Sequence, residues 1–385
     1  MSNFSSLNRY VKTYFTMNRK ILTLTLMLLP LLLASCLKEK SPSEIYMDQA
    51  SGVVLVLNQY YYTATLPDGS VIYFSGLDED GDMENVAFEA DEIEKSMVFG
   101  TAFFVDDNGS LLTNRHVVDP YIKKSDVESC VHNLIDALKA YTEYAQGNMA
   151  EQYRELEERI NDNTTVEWNP YLEEYVVQES SENNDLRRQQ QALSQKFDEA
   201  EEYLDELRRI DVNQLRLDTH CELGIAYHDT YVTKPDDFKP CVVVRTSKDQ
   251  EVDLALIRLK DHTTPPNAYV FSPPKSEGTL FGPSVADREN LQLNQQLVLI
   301  GYNHGMQLAA TREGIKAQLT TGNVSQEPDG QRVMYTIPML QGSSGSPVVN
   351  CYGELVAVNF AGMQGTQGFN FGVPLPRIKE FLARQ

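Results

Sequence analysis

Three short strings contain the residues whose chemistry could make this chain an enzyme. Residues 342–347 are Gly-Ser-Ser-Gly-Ser-Pro, which places Ser344 between small residues in a turn. Such a turn exposes a hydroxyl beside unobstructed backbone N–H groups, as a nucleophile that generates an oxyanion requires. Because clusters of glycine, serine and proline also mark ordinary loops, this string alone does not separate a nucleophile from a loop residue.

The other two strings lie upstream and supply a base and an acid. His116 ends the segment 111–116, where the chain leaves a strand, and Asp253 opens the alternating apolar run Leu254–Leu259. A carboxylate at the mouth of a buried strand needs a partner. An imidazole N–H would pair with it and leave the other ring nitrogen free as a base. Alone, His116 could be a satisfied turn histidine and Asp253 a strand cap, but the order His, Asp, Ser favours a catalytic triad.

The sequence around these strings resembles the chymotrypsin-fold, trypsin-like serine proteases, and most closely their Deg/HtrA-type branch. The motifs that carry the resemblance are GTAFFVDDNGSLLTNRHVV, DLALIRL and GSSGSPVVNCYGELVAVNFA, and it covers roughly residues 51–119 and 240–385. The resemblance implies that Ser344 is the nucleophile, that His116 is the general base and that Asp253 orients the imidazole. It further implies that the backbone N–H groups of Gly342 and Ser344 form the oxyanion hole.

Several positions depart from this pattern. Ser343 stands where proteases that are activated by propeptide cleavage carry an aspartate, so we do not expect that switch. The proline expected after Gly301-Tyr302 is replaced by Asn303-His304, and we interpret His304 as a solvated loop histidine rather than a second catalytic group. We also expect no peptide-binding PDZ domain after the second barrel, and therefore no gating through one.

Alignment to the family also predicts the walls of the substrate pocket, namely Met339, Leu340, Asn359, Phe360 and Ala361. None of these residues is acidic, so a buried lysine or arginine of a substrate would lose its hydration without compensation. We therefore expect a small or medium apolar side chain before the cleaved bond.

The elements that must position these residues are short strands separated by Gly/Asn/Asp turns. They predict a mainly β fold of two six-stranded antiparallel β-barrels, chymotrypsin-like, with the active site between them. The exception is the stretch between His116 and Asp253, which are 137 positions apart. Apolar residues recur there at three-to-four spacing over 134–160, with Tyr141 and Tyr153 among them, and over 186–207.

This periodicity predicts an antiparallel coiled-coil hairpin inserted in the first barrel. The hairpin carries more than half of the chain's net negative charge. Two interpretations remain open: a solvated hairpin that packs only on itself, and an arm that binds a protein partner.

The first 36 residues predict the compartment. Arg19 and Lys20 precede a short apolar stretch that ends Leu33-Ala34-Ser35-Cys36, which resembles a bacterial lipoprotein lipobox. The stretch is short for a membrane span. The alternative to a cleaved signal is an uncleaved anchor or a buried helix. We expect cleavage before Cys36, a lipid on its sulfur, and a location in the bacterial cell envelope, with membrane and face open.

The predicted organisation therefore has six parts. In chain order these are a lipoprotein signal peptide and lipobox (1–36), a tether (37–50), the first part of the first barrel (51–119), the coiled-coil insertion (120–214), the second part of the first barrel (215–280), and the second barrel with a C-terminal helix (281–385).

Composition excludes several other functions. The net charge of −22 argues against a nucleic-acid partner, which would require a basic face. We expect no cofactor and no metal, since the acidic loop at 78–82 lacks the glycine spacing of a calcium loop.

Four cysteines besides Cys36 permit two disulfides: Cys130, Cys221, Cys241 and Cys351. Our preferred pair is Cys130–Cys221. The alternative is that the four are free, buried thiols.

The function that these observations favour is a lipid-anchored serine endopeptidase. It would cut unfolded or flexible polypeptides through a His-Asp-Ser triad and an acyl-enzyme. The alternative is a catalytically silent module of the same fold that acts through its coiled-coil arm.

Overall fold

The computed structural model describes residues 38–249, 251–274, 283–362 and 369–383. Cys36 and the segment before it lie outside the described residues. The chain divides into two compact units. The first comprises the described residues up to Gln59, Met97–Pro120 and those from Cys221 on, and the second comprises Tyr60–Ser96 and Tyr121–His220.

Six strands of the first barrel form one closed antiparallel sheet. In chain order they are β1 (Val53–Thr65), β5 (Ser96–Phe104), β6 (Ser110–Thr113), β9 (Arg216–Tyr227), β10 (Lys239–Thr246) and β11 (Ala255–Leu259). Their order in the sheet is β1-β5-β6-β11-β10-β9, and a pairing between β9 and β1 closes it. The turn between β5 and β6 follows from its sequence. Asp106 Oδ1 accepts the N–H groups of Asn108 and Ser110, and Gly109 takes a left-handed conformation.

A second sheet of six strands builds the other half of the β fold. Its strands are β12 (Gln296–Gly301), β15 (Gln318–Asn323), β16 (Val333–Tyr335), β17 (Pro347–Val349), β18 (Leu355–Gly362) and β19 (Asn370–Pro374). The order is β15-β12-β17-β18-β19-β16, and an isolated bridge between Val324 and Tyr335 brings its two edges together. The predicted fold class is confirmed: the protein is mainly β, with a closed six-stranded barrel, a curled six-stranded half-barrel and a helical insertion.

Alternating apolar residues on these strands fill the cores. Val54, Ala102 and Ile257 lie inside the first barrel, while Leu297 and Val356 lie inside the second. A third, larger cluster contains residues of both sheets, including Leu112 and Ile300, and so joins them. The remaining strands pair locally: β3 (Gly76–Leu77) with β4 (Met83–Glu84), and β13 (Ala310–Thr311) with β14 (Gly314–Ile315).

A helix that the sequence reading missed precedes β1. Residues 37–50 were predicted to be a tether, but Pro42–Gln49 form helix α1. Ser41 and Glu44 make a capping box and Pro42 occupies the first turn, so the signal was present in the sequence. Ile45 is fully buried in the core that joins the two sheets, and this burial fixes the helix. The other short helices are α2 (Arg115–Val118), α5 (Val285–Glu289), α6 (Met306–Ala309) and α7 (Leu375–Ala383).

The second unit contains two long helices that pack along each other. These are α3 (Lys124–Asp162) and α4 (Asn183–Arg209), and between them lies a hairpin of β7 (Thr164–Asn169) and β8 (Glu174–Glu179). Strand β2 (Val71–Phe74) pairs with the end of β1 in the same unit. One cluster, which includes Phe74, Val131 and Leu207, forms its core.

The seam between the two helices differs from the predicted apolar run at two positions. Tyr141 and Tyr153 were expected on it, but they are exposed. Thr142 is buried instead, and its hydroxyl donates to the carbonyl of Leu138, which satisfies the polar group inside the seam. The buried position of the helical repeat is therefore Thr142 rather than Tyr141.

The expected disulfide between Cys130 and Cys221 is wrong, because all four described cysteines are free. The Cys130 thiol donates to the carbonyl of Gly81 at 2.8 Å, and Cys221 Sγ accepts from Asn58 Nδ2 at 3.5 Å. Burial raises the pKa of both thiols and raises that of Cys241 to about 12, so all three are protonated at neutral pH. Within the described ranges, every helix is too short or too polar to cross a bilayer.

Candidate active site

His116 and Asp253 form a directly bonded pair. His116 Nδ1 lies 2.5 Å from Asp253 Oδ2, and the backbone N–H of His116 donates to Oδ1 at 3.1 Å. Both carboxylate oxygens are therefore occupied by the same histidine. Because Nδ1 faces an acceptor, it carries the proton, which leaves Nε2 free to accept one. The Asp253 side chain is 16% exposed and that of His116 is 45% exposed, so the base reaches solvent while its acid is shielded.

Strand register places the two residues together. Strands β6 and β11 are antiparallel with Thr113 opposite Ala255, so the chain after Thr113 runs beside the chain before Ala255. The fully buried Asn114 fixes this junction, since its Nδ2 donates to the carbonyl of Asp253 at 2.7 Å. Short helix α2 starts at the next residue and carries His116.

Glycines shape the turn that carries Ser344. Gly342 and Gly345 have φ values of +95° and +87°, a region that side chains rarely adopt. Space is equally restrictive. A Cβ on Gly342 would lie 2.5 Å from the Tyr302 carbonyl oxygen, and one on Gly345 would lie 2.1 Å from that of Thr101. Only glycine fits at either position.

Hydrogen bonds fix the direction of the peptide groups in this turn. The Gln341 carbonyl accepts from the His304 N–H at 2.6 Å, and the Ser343 carbonyl accepts from the Ser346 N–H at 3.1 Å. In a trans peptide the N–H points away from the carbonyl, so the N–H groups of Gly342 and Ser344 point away from these anchors. In the described part of the chain neither has an acceptor, as a group reserved for an oxyanion requires.

Thr101 holds the same turn from the first barrel, and the sequence reading missed it. Its N–H donates to the Ser344 carbonyl at 2.8 Å, and its hydroxyl donates to the Gly342 carbonyl at 2.9 Å. The hydroxyl also accepts the N–H of Tyr302 at 3.0 Å. Thr101 is fully buried in β5, so a polar side chain in the apolar string GTAFF was the available signal.

Ser344 is half-buried and lies close to the segment that carries His116. A Cβ on the adjacent Gly345 would be 2.4 Å from Thr113 Oγ1 and 3.2 Å from the Asn114 nitrogen. Among the described residues, no hydrogen bond joins Ser344 Oγ to His116. The structure therefore brings His116 and Asp253 into contact and places Ser344 beside them without the third bond. Such bonds are often loose in unliganded enzymes.

Comparison with known families agrees with this arrangement. The model of the trypsin-like peptidase domain matches residues 175–358, a range that contains Asp253 and Ser344 but not His116. Residues 175–358 are therefore similar to a trypsin-like peptidase domain.

Solved structures similar to this chain include a serine endoprotease from Yersinia pestis and the HtrA-type protease AlgW with a decapeptide. Sequence identities are 12% and 13%, and the TM-score is 0.40 for each. Each match covers 89% of this chain, which spans 65% and 66% of the two chains. Comparison with curated protein sequences gives no significant match. The fold assignment rests on the strand order given above.

The residues predicted to wall the peptidase pocket lie in different environments. Met339 packs partly buried against the core of the second sheet, and Leu340 is 47% exposed. Phe360 is partly buried and lies near the ring of Phe371. Ala361 belongs to β18, where it pairs with Phe371.

Asn359, the remaining predicted wall residue, is fully buried behind the nucleophile's turn. Its Nδ2 donates to the Ser343 carbonyl at 2.9 Å, and its Oδ1 accepts the Tyr335 hydroxyl at 2.7 Å. Burial raises the pKa of Tyr335 well above its usual range, so its hydroxyl remains protonated and able to donate. Ser343 is itself buried, and its hydroxyl donates to the Leu340 carbonyl at 2.7 Å. These bonds fix Ser343, which stands where proteases activated by propeptide cleavage carry an aspartate.

A cavity of about 160 Å³ adjoins the other side of this turn. It is lined by Met97, Phe99, His304, Gly305, Met306, Gln307, Gln341 and Gly342. His304 is exposed with a left-handed φ of 55°, and its contribution to the turn comes from its backbone N–H. Across the described ranges, no group of His, Cys, Asp or Glu side chains is arranged to hold a metal ion.

Proposed function

We propose that this chain is a serine endopeptidase of the bacterial cell envelope. The observation that carries the proposal is the pair formed by His116 and Asp253, in which both carboxylate oxygens bind one histidine and leave its Nε2 free. The His116 side chain is 45% exposed, so this base can be reached by a substrate or by a neighbouring hydroxyl.

The chemistry follows the roles of these groups. Ser344 Oγ attacks the carbonyl carbon of a peptide bond while His116 Nε2 takes the hydroxyl proton, and Asp253 stabilises the resulting imidazolium. The negative charge on the substrate oxygen is held by the N–H groups of Gly342 and Ser344. The C–N bond then breaks as His116 returns the proton to the leaving amine. Water attacks the acyl-enzyme with the same base, which releases the acid product and restores Ser344.

The sheet next to the site suits an extended polypeptide. Strand β17 runs beside β18 only as far as the bonds between Asn359 and the segment Gly345–Ser346. Beyond Asn359, β18 has no further neighbour on that side among the described residues, so an unfolded or flexible peptide can pair with it. With Met339 and Leu340 nearby and no acid among the wall residues, a small or medium apolar side chain is preferred before the cleaved bond.

The cellular setting is part of the same proposal. A lipid on Cys36 would attach the protein to a membrane, and the helical insertion would offer a surface to a protein partner. The net charge of −22 makes nucleic acid an unfavourable ligand.

The decisive experiment is labelling with a fluorophosphonate probe, which reports an activated serine without a guess at the substrate. We would use the chain from Leu37, which retains every described residue, and compare it with Ser344→Ala. We expect the variant to lose labelling completely, because the probe reacts only with the nucleophilic oxygen.

The control is Ser129→Ala, which removes an exposed hydroxyl from helix α3 and should label like the parent chain. Labelling that persists in Ser344→Ala would contradict the assignment of the nucleophile. A folded parent chain that does not label would favour the alternative, a catalytically silent binding module.

A further inference from the structure

The hairpin of β7 and β8 has one face made of large apolar side chains. In its register Val166 lies opposite Val177 and Trp168 opposite Tyr175, so these four side chains share one face, which we call the apolar face. They are 60%, 57%, 53% and 70% exposed, respectively. The rings of Trp168 and Tyr175 meet edge to face at 5.1 Å. Apolar residues therefore form a continuous exposed stripe across both strands.

The acidic residues of the strands lie on the other side or are paired. The alternate pairs, Glu167 with Val176 and Asn169 with Glu174, point to the opposite face. Glu179 shares the side of the apolar face, but it forms an ion pair with Arg187 of helix α4. The apolar face thus carries no unpaired charge, although the segment 164–179 has four acidic and no basic residues.

Such a face needs a cover. A sheet with one apolar side is stable when that side packs on another layer, and an isolated two-stranded hairpin is marginal in water. Contiguous exposed apolar patches of this kind mark interaction sites in soluble proteins. Each of these four side chains keeps more than half of its surface exposed.

We propose that the apolar face binds the same face of a second copy of this chain. A two-fold axis would bring two neutral, apolar surfaces together and leave Glu167 and Glu174 of both copies in water. A basic protein would instead be attracted to the opposite, acidic face. The acidic side chains of this segment repel anionic lipid headgroups and oppose a second copy alike, so association between copies rests on the apolar area alone. The inference does not depend on the proposed protease activity.

The size of the surface sets the expected affinity. With about 150–250 Å² for each aromatic side chain, and the exposed fractions above, the four residues contribute roughly 400–500 Å² per copy. Two copies would bury roughly 800–1,000 Å², which is below the usual size of a stable interface and in the range of weak, transient ones. We therefore expect a weak, concentration-dependent dimer rather than a permanent one.

The only tryptophan of the chain lies on this face, which provides the measurement. We would use the chain from Leu37 and record sedimentation velocity and tryptophan emission from about 1 to about 200 µM. Dimerisation would raise the sedimentation coefficient and shift the emission of Trp168 to shorter wavelength over the same range, because the indole leaves water. A chain that stays monomeric with unchanged emission throughout would overturn the proposal.

Two matched variants test the face itself. Val166→Lys with Val177→Lys places two charges on the apolar face, whereas Thr165→Lys with Gln178→Lys places the same charges on the opposite face of the same strands. We expect the first to raise the dimer dissociation constant at least about 10-fold and the second to leave the dimer intact. Equal loss of association in both, or in neither, would contradict binding through the apolar face.

Vesicles of neutral phosphatidylcholine provide the other arm. At about 1 µM protein, where the dimer is dissociated, we expect vesicles to leave the emission of Trp168 unchanged. A shift to shorter wavelength on adding vesicles, without self-association at high concentration, would identify a lipid surface as the occupant and overturn the proposal of a second copy.

Discussion

The turn around Ser344 and the hairpin of β7 and β8 are both small, exposed at one side and built on β structure, yet they are held in opposite ways. In the turn the carbonyls of Gln341, Gly342, Ser343 and Ser344 each have a protein donor. In the hairpin, pairing between two strands is the main constraint, and the largest side chains face water.

The contacts of the turn fix the positions of its atoms, whereas the exposed side chains of the hairpin favour association with another surface. Buried polar bonds of defined length restrict a peptide group to one direction, which an oxyanion site requires. An apolar stripe restricts no direction, but it gains free energy from any surface that removes it from water. The first region is suited to chemistry on a substrate and the second to contact with another surface.

Among substitutions that keep Ser344, the largest effect is expected from Asp253→Asn. An amide cannot accept the His116 Nδ1–H and N–H bonds as the carboxylate does, and it would favour the wrong imidazole tautomer. We expect peptidase turnover or probe labelling to slow by roughly 10⁴-fold with the fold preserved.

The control is a carboxylate on helix α3, in the same compact unit as the hairpin of β7 and β8. Asp136→Asn removes the exposed carboxylate that faces His132 on helix α3 at 3.9 Å, and it should leave the labelling rate unchanged. Equal rates for Asp253→Asn and the parent chain would refute the assignment of the acid.

An intermediate effect is expected from Asn359→Ala. The change removes the donor to the Ser343 carbonyl and the acceptor of the Tyr335 hydroxyl, so the turn loses its support from behind. We expect the labelling rate to fall by about 10–100-fold and the free energy of unfolding to fall by about 1–3 kcal/mol.

Asn350→Ala separates these two quantities. Asn350, which follows β17, is also fully buried, but its side chain bonds Glu354 and the Arg288 carbonyl rather than the turn around Ser344. It should lose comparable stability and label normally. If Asn350→Ala slowed labelling as much as Asn359→Ala, the effect of Asn359 would be one of general stability.

The smallest effect concerns acid. His228 Nδ1 accepts the Ala317 N–H at 3.2 Å, and burial lowers the pKa of His228 despite the opposing charge of Asp229. The unfolded chain therefore binds a proton more readily than the folded one. Stability that is present above about pH 6.5, the ordinary histidine value, is lost progressively as the pH falls below it.

Urea unfolding of the parent chain and His228→Asn from about pH 7.5 to about pH 5.5 measures this term, since the asparagine keeps an acceptor near Nδ1 and does not titrate. We expect the parent to lose more stability than the variant over this range. Identical slopes would show that His228 does not contribute.

Sequence patterns predicted the strands of the β fold and the contact of His116 with Asp253 because these depend on alternation and on turn chemistry, which are local. Thr101 escaped notice because its role depends on Gly342 and Ser344, which are more than 200 positions away. Tyr141 was assigned to the helix seam on spacing alone, although one position decides which residue is buried. Cysteine pairing failed for the same reason, since connectivity depends on tertiary neighbours.

Helix α1 sets how far the peptidase could stand from a membrane. Lys40, two residues before the helix, is already held to the turn between β17 and β18, because its N–H donates to the Cys351 carbonyl at 2.8 Å. From Cys36 to Lys40 the chain can extend only about 14 Å, at about 3.5 Å per residue. With the lipid proposed for Cys36, the segment from Cys36 to Lys40 would be shorter than the diameter of a small domain. A domain attached in this way would lie against the bilayer surface.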